Sequence, residues 1–256
     1  MLFSVIHYNT PKLTSALVDS IFKLHPDAEI IVFDNSDSRP ISCDKWHGVR
    51  YFDNTAGGII NFQDELAKFP RRNEDVEIRV GSSFGSAKHS MSVQWIMNNI
   101  GRPFVLIDSD ALLKKAVNFD DDRFAVAADI EIGEFKIRAL PLIMYLNVPR
   151  LKDLYIDFFD PRRMIALSDD RYDTGASLFE DIHQVPNGLN RISFASYIFH
   201  YGSASSSMYN DLVSCVNLGV ETLEQQVPAI QYDVVGAQRY SVVHVGSVEQ
   251  YVAILH

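Results

Sequence analysis

One stretch of the sequence decides the fold: Phe104-Val105-Leu106-Ile107-Asp108-Ser109-Asp110. Its four apolar residues predict a buried β-strand that ends on two carboxylates, one residue apart. Carboxylates this close repel one another unless a cation lies between or near them, and oxygen ligands suit Mg²⁺ or Mn²⁺. Because the motif is short, a strand that ends in a solvated acidic turn explains these residues alone equally well.

The beginning of the chain predicts a β-α-β unit. An apolar run at residues 2–6 leads to Thr10-Pro11, a hydroxyl at the N-cap followed by proline at the first helical position. Apolar residues then recur at helical spacing, and a second apolar strand at residues 29–33 ends on Asp34. Such a unit has parallel strands, and open α/β sheets bind ligands at the carboxyl ends of their strands. We therefore predict a binding edge beside Asp34, without the GxGxxG of dinucleotide-binding oxidoreductases.

The rest of the chain continues the α/β pattern without a low-complexity linker, so we predict one compact domain. The Asp-rich turn at residues 120–122 is most simply a solvated loop. The acidic segment at residues 168–173 precedes a predicted helix, which Asp173 or Thr174 would cap. Further strands are predicted at residues 49–52, 124–130, 139–148, 192–199 and 240–243, and helices at residues 59–69, 87–100 and 176–183.

Composition restricts the function classes. A formal net charge of -10 over 256 residues argues against a nucleic-acid-binding surface. The two cysteines show no CxxC spacing, which fits a reducing compartment. No run of about 18 apolar residues occurs, and residues 1–7 lack the charged start of a signal peptide. A cytoplasmic protein without a transmembrane segment is expected.

A set of short motifs occurs in a fixed order along the first half of the chain: Tyr8-Asn9, Asp34-Asn35-Ser36, Gly85, Lys88 and Asp108-Ser109-Asp110. This order of parts resembles the GT-A fold glycosyltransferases, and most closely the family 2-like bacterial nucleotide-sugar transferases. The likeness covers residues 2–113, and beyond them only isolated motifs. The family's Arg-Asn pair at one helix start is Lys88-His89 here, which leaves the roles of both residues open. The likeness implies a GT-A-like mixed sheet flanked by helices, a nucleotide- and metal-binding half (1–115) and an acceptor-binding half (116–256).

The resemblance implies a nucleotide-diphosphate sugar donor and a cofactor, Mn²⁺ or Mg²⁺. Asp110 is the expected metal ligand, with Asp108 on the metal or the ribose and Asp34 on the nucleobase. A late histidine would complete the metal or diphosphate site, and we prefer His200 to His244 because a Gly-Ser-Ala-Ser tail follows it. The expected nucleotide-binding residues are Tyr8, Asn9, Asp34, Ser36, Lys88, Asp108, Ser203 and Ser205.

Sugar transfer with inversion needs a carboxylate that deprotonates the acceptor hydroxyl. Asp173, which precedes a predicted helix, is the first candidate, although a carboxylate in this position also commonly caps a helix. Glu180 and Asp181 resemble the Glu-Asp pair of the family and are the second candidates. The resemblance implies a hexosyltransferase acting on a glycan, lipid-linked or other hydroxyl acceptor in polysaccharide biosynthesis, and it leaves inversion or retention open.

Two other functions are consistent with the sequence. HAD-type phosphohydrolases also have an apolar strand that ends in Asp-x-Asp, but theirs normally lies near the N-terminus and continues with Gly-Thr, whereas this one continues with Ala111-Leu112. A non-catalytic sugar-nucleotide-binding protein would use the same pocket without a base. It would keep Asp34 and Asp110 and tolerate the loss of Asp173.

Overall fold

The computed structural model describes residues 1–38, 40–67, 82–119, 122–132, 137–161 and 173–200. Within these residues the chain forms an α/β fold with one seven-stranded mixed sheet. The strands are β1 (Leu2–His7), β2 (Glu29–Asp34), β3 (Val49–Asp53), β4 (Phe104–Asp108), β5 (Ala111–Leu113), β6 (Val126–Ile132), β7 (Ile137–Leu146), β8 (Leu189–Arg191) and β9 (Ile198–His200). The helices are α1 (Pro11–Leu24), α2 (Phe62–Ala67), α3 (Ser82–Ile100), α4 (Val148–Asp153) and α5 (Ala176–Ile182), with one 3₁₀ turn (Phe194–Ser196).

The sheet has the order β3-β2-β1-β4-β7-β6-β8, and β5 and β9 form a separate antiparallel pair. Strands β1 to β4 are parallel, while β7 runs antiparallel to both β4 and β6. The predicted β-α-β unit and the α/β class with a mixed, helix-flanked sheet are confirmed. The sheet takes strands from both proposed halves, 1–115 and 116–256, and the division into halves stays a prediction.

The two faces of the sheet are buried against different helices. Alternate strand residues reach opposite faces, so Phe3 and Val5 join the α1 side while Leu2 and Ile6 join the α3 side. Each fully buried large apolar side chain contributes about 1.5–3 kcal/mol to folding. The two layers fix the orientation of the strand ends. On the helices, the apolar faces are Leu13, Leu17 and Ile21 on α1 and Val93, Ile96 and Met97 on α3.

The parallel register aligns the polar strand ends at one edge. His7 lies beside Asp34, and Ile6 lies beside Asp108, so the carboxyl ends of β1, β2 and β4 finish together. Strand β7 pairs with β4 only over residues 143–146 and extends beyond the end of β4 towards Ile137. This edge is where the sequence predicted the binding site.

Several local predictions differ from the structure. Thr10 precedes α1, but its side chain makes no cap hydrogen bond; its hydroxyl instead donates to Ser109 Oγ at 3.5 Å. The strand predicted to end at residue 148 ends at Leu146, because the Asn147 side chain accepts a hydrogen bond from the Arg150 amide and starts α4.

The strand predicted at residues 192–199 is interrupted by the 3₁₀ turn, so only its last three residues form a strand. The predicted strand at residues 240–243 lies outside the described residues. Among the described residues, no helix is both long enough and apolar enough to cross a membrane.

Candidate active site

Two carboxylates and an imidazole meet at the carboxyl end of β4. Asp108 ends β4, Asp110 lies in the turn that follows, and the β5–β9 pairing places His200 opposite Ala111. The His200 Nε2 atom is 3.1 Å from Asp110 Oδ1 and 3.8 Å from Asp108 Oδ2. One ligand atom of each of these three residues lies within 4.8 Å of the others. The predicted residues Asp108, Asp110 and His200 are therefore brought together by elements distant in sequence.

The donor set of this cluster fits a divalent cation such as Mn²⁺ or Mg²⁺. Carboxylate oxygens are the preferred ligands of both ions, and imidazole nitrogen is compatible with first-row transition metals. Burial is the largest influence on the pKa of Asp108 and raises it, and the charge of Asp110 raises it further. Burial lowers the pKa of His200, but the carboxylates of Asp110 and Asp108 outweigh this and the net pKa is raised. The raised pKa values of Asp108 and His200 show that the surroundings of the cluster favour the protonated forms of both residues.

A second histidine lies beside the cluster. His89 Nε2 is 3.7 Å from Asp108 Oδ1, and this nitrogen is buried without a hydrogen-bond partner among the described residues. From the sequence we expect His89 to be a packed or surface histidine rather than a ligand. No neighbouring residue in the sequence distinguishes a structural histidine from a ligand. Its neighbour Lys88 places Nζ 5.7 Å from the ring centres of both Tyr8 and Phe62. The second turn of α3 therefore brings an imidazole and an ammonium group to this edge.

Three predicted nucleotide-binding residues form one hydrogen-bonded group around Asp37. Tyr8 OH donates to Asp37 Oδ2 at 2.8 Å, and Asn9 Nδ2 donates to Asp37 Oδ1 at 2.6 Å. The Asn9 amide donates to Ser36 Oγ at 2.9 Å, with Asn9 at a φ of 56°. Burial, and then the hydrogen bond to Asp37, raise the pKa of Tyr8 to about 12. Asp37 followed the predicted motif directly but was not among the expected site residues.

Asp34 has a different environment from the one expected of a nucleobase ligand. Its side chain is fully buried, and Oδ1 accepts a hydrogen bond from the Ser36 amide. Oδ2 accepts from the Ile41 amide and from Tyr51 OH, at 3.0 and 2.9 Å. These donors hold the loop after β2 against β3. Direct contact between Asp34 and a nucleobase stays a prediction.

Asp173 is held from three sides. Its Oδ1 accepts from Ser86 Oγ at 2.7 Å and from the Thr174 amide at 2.8 Å. Its Oδ2 lies 2.8 Å from Nη1 of Arg138, and Arg138 Nε also pairs with Glu131 Oε2 at 2.5 Å. Arg138 is the main site residue that the sequence did not indicate.

The alternative role of the Asp173 side chain, capping the helix, is not seen in the structure. The residue that precedes α5 is Gly175, at a φ of 86°, and no side chain caps this helix. The second candidates for the base lie on α5 itself, where Glu180 is exposed and Asp181 is half-buried. Three further predicted residues, Ser203, Ser205 and His244, lie outside the described residues.

No protein-family model matches the sequence, and no curated protein matches it. Among solved structures, the fold is similar to that of the galactosyltransferase LgtC in complex with donor and acceptor sugar analogues. The identity is 11% and the TM-score 0.46, over 76% of this chain and 74% of LgtC. The fold is also similar to that of mouse xyloside xylosyltransferase 1 in its apo form. The identity is 11% and the TM-score 0.46, over 76% of this chain and 86% of the xylosyltransferase. A third similar structure is the mannosyltransferase PcManGT from Pyrobaculum calidifontis, in complex with GDP-Man and Mn²⁺. The identity is 11% and the TM-score 0.33, over 99% of this chain and 78% of PcManGT. All three of these solved structures are glycosyltransferases.

Proposed function

We propose that this protein transfers a sugar from a nucleotide-diphosphate donor to a hydroxyl acceptor, with Mn²⁺ or Mg²⁺ held by Asp108, Asp110 and His200. The observation that carries the proposal is the cluster of two carboxylates and one imidazole at the carboxyl edge of the parallel strands. In open α/β sheets this edge is where nucleotides bind. Asp108 is the most exposed of the three side chains, at 21%.

Breaking the bond between sugar and diphosphate leaves negative charge on the leaving group. When bound, a divalent ion supplies electrostatic stabilisation of that diphosphate. Lys88 adds a positive charge on α3, and His89 Nε2, which has no hydrogen-bond partner among the described residues, is suited to a hydrogen bond with a ligand oxygen. Tyr8, Asn9 and Ser36 bind the nucleotide on the β1–β2 side. Ser203 and Ser205 remain candidates for the phosphates, and His244 for the metal.

On the acceptor side, Asp173 is our candidate for the general base. Oδ2 or Oδ1 takes the proton of the acceptor hydroxyl as the oxygen attacks the anomeric carbon, which gives inversion. Hydrogen bonds from Ser86 Oγ and the Thr174 amide to Oδ1 fix the orientation of this carboxylate. Glu180 and Asp181 are second candidates, and a retaining mechanism without a side-chain base remains the alternative. A hexose donor, a glycan or lipid-linked acceptor, polysaccharide biosynthesis and a cytoplasmic location belong to the same proposal.

The first test is a thermal-shift screen against UDP-, GDP-, dTDP- and CMP-sugars, with and without Mn²⁺. A ligand that binds only the native state stabilises it by about 2.7 kcal/mol at a hundredfold excess over Kd. We expect stabilisation by one nucleotide class, dependent on the metal. A chain that no nucleotide stabilises and that hydrolyses simple phosphomonoesters would instead be a phosphohydrolase. Binding of a donor without transfer to any acceptor would favour a sugar-nucleotide-binding protein.

A further inference from the structure

We propose that Arg138 is a positioning residue: it fixes the Asp173 carboxylate in place by bridging it to Glu131 on the neighbouring strand. This inference rests on the proposed function, since it gives Asp173 a role in transfer. Arg138 itself contacts neither the donor nor the acceptor in this scheme. Its effect on the reaction passes through Asp173.

The bridge begins with the pairing of two strands. Glu131 on β6 and Arg138 on β7 are directly opposite each other in the antiparallel register. Arg138 uses Nε for Glu131 Oε2, at 2.5 Å, and Nη1 for Asp173 Oδ2, at 2.8 Å. Because the guanidinium is planar and rigid, binding one carboxylate at Nε restricts where Nη1 points. Glu131 therefore orients the Nη1 group of Arg138, which donates a hydrogen bond to Asp173.

The environment of the pair makes this orientation effective. The side chains of Arg138 and Asp173 are only 18% and 19% exposed. Water competes weakly for a charge-assisted hydrogen bond in such a place, so the bond is stronger than at the surface. The other carboxylate oxygen is fixed by Ser86 Oγ and the Thr174 amide. Both oxygens of Asp173 thus have defined directions.

The backbone adds a second contact between the Asp173 turn and β7. The Ala139 amide donates to the carbonyl of Gly175 at 3.3 Å. At Gly175, a Cβ would lie 2.0 Å from the carbonyl oxygen of Ala139, so only glycine permits this approach. Because Ala139 follows Arg138, the turn is docked beside the guanidinium. The position of Asp173 relative to Arg138 is set by both backbone and side chain.

The pair also lies at the edge that holds the candidate metal cluster. Strand β7 continues beyond the end of β4, where Asp108 begins the Asp-x-Asp turn. The positive charge of Arg138 acts to lower the pKa of both Asp108 and His200, which agrees with this proximity.

The experiment compares Arg138→Gln, Arg138→Lys and Asp173→Asn in the full chain, with the double variant Arg138→Gln/Asp173→Asn. The matched control is Arg102→Gln, which removes an arginine–carboxylate pair with Glu29 at the opposite edge of the sheet. Steady-state kinetics give kcat and KM for a donor and acceptor found in the nucleotide screen. Isothermal titration gives the affinities for Mn²⁺ and for the donor, and urea unfolding checks that each variant is folded.

We expect Arg138→Gln to lower kcat about 10- to 100-fold, the order of loss that follows a misplacement of about 1 Å. Arg138→Lys retains the positive charge, so we expect its kcat to fall less than that of Arg138→Gln. Donor affinity stays unchanged, because Arg138 acts only through Asp173. The double variant is no slower than Asp173→Asn alone, since the two residues act as one unit. Arg102→Gln transfers at the wild-type rate.

Three results would overturn the inference. A kcat in Arg138→Gln equal to that of the Arg102→Gln control would make the bridge structural. Additive losses in the double variant would mean that Arg138 acts independently of Asp173, and a weaker donor affinity would make it a donor ligand. If Arg138→Gln fails to fold, the same comparisons apply to Arg138→Lys. A wild-type protein that binds no nucleotide sugar would refute the proposed function itself, whereas these results refute only the positioning role.

Discussion

Replacing Gly175 by alanine tests how the candidate base is placed. The added Cβ would lie 2.0 Å from Ala139 O, whereas ordinary van der Waals contact begins at 3.4 Å, so the backbones must separate by about 1.4 Å. The residue also has a φ of 86°, a conformation that alanine rarely adopts. The turn that carries Asp173 must therefore move away from β7.

The cost can be worked from these two effects. A non-glycine residue held in this region of backbone space costs about 1–3 kcal/mol. A shift of this size also breaks the 3.3 Å hydrogen bond from the Ala139 amide to Gly175, a contribution of about 1 kcal/mol. We expect a destabilisation of about 2–4 kcal/mol and, because Asp173 loses its contact with Arg138, a lower kcat in the protein that remains folded.

Urea unfolding followed by circular dichroism measures the loss of stability. Transfer kinetics at urea concentrations well below the unfolding midpoint measure the change in kcat. Gly58→Ala is the matched control, because nothing lies within 4 Å of a Cβ at Gly58 and its φ is not positive. A loss of stability below 1 kcal/mol in Gly175→Ala, or full activity in the folded variant, would refute the proposed docking of this turn.

Three further predictions concern the cluster and the base. Asp110→Asn keeps the fold, because removing a carboxylate beside Asp108 also removes repulsion. The variant loses a proposed metal ligand, so we expect no Mn²⁺-dependent nucleotide binding in a thermal-shift assay. Binding with unchanged Mn²⁺ dependence would contradict the metal assignment. Asp173→Asn preserves donor and metal binding but lowers transfer by roughly 10²–10⁴-fold, and an unchanged rate together with losses in Glu180→Gln or Asp181→Asn would move the base to α5. Because the pKa values of His200 and Asp108 are raised, the metal-free protein holds protons more tightly than the unfolded chain. The stability that His200 protonation contributes is complete below its ordinary pKa and is lost as pH rises through the raised value. Apparent Mn²⁺ affinity rises over the same interval as protons leave the ligands, and titrations at a series of pH values that gave a constant affinity would count against these three ligands.

The sequence predicts the first half of the fold well for identifiable reasons. Strands β1, β2 and β4 are continuous apolar runs, and α1 has a clear helical period and a proline start, so local pattern and burial agree. The segment at residues 189–200 was less predictable. There the chain alternates short strands with a 3₁₀ turn, and pairing with β5 and β6 decides its structure rather than its own composition.

The residues of the candidate site also differ in how well the sequence predicts them. Asp108 and Asp110 were recognisable because they end an apolar strand, and His200 because it ends another. Arg138 was not, since its importance depends on a glycine 37 positions later that lets the Asp173 turn approach β7. His89 was also missed because one imidazole on a helix carries no signal of the carboxylate beside it.

The distribution of charge explains why metal binding and proton transfer are assigned to different carboxylates. Arg138 pairs with Glu131 and Asp173 at 2.5 and 2.8 Å, so a permanent cation already balances much of the negative charge on that side. Asp108 and Asp110 lie 3.8 and 3.1 Å from the imidazole of His200, and an imidazole, unlike a guanidinium, loses its charge when it deprotonates. We therefore propose the Asp-x-Asp turn as the place for a divalent ion. Asp173, directed by fixed donors, remains our candidate for the group that accepts a proton.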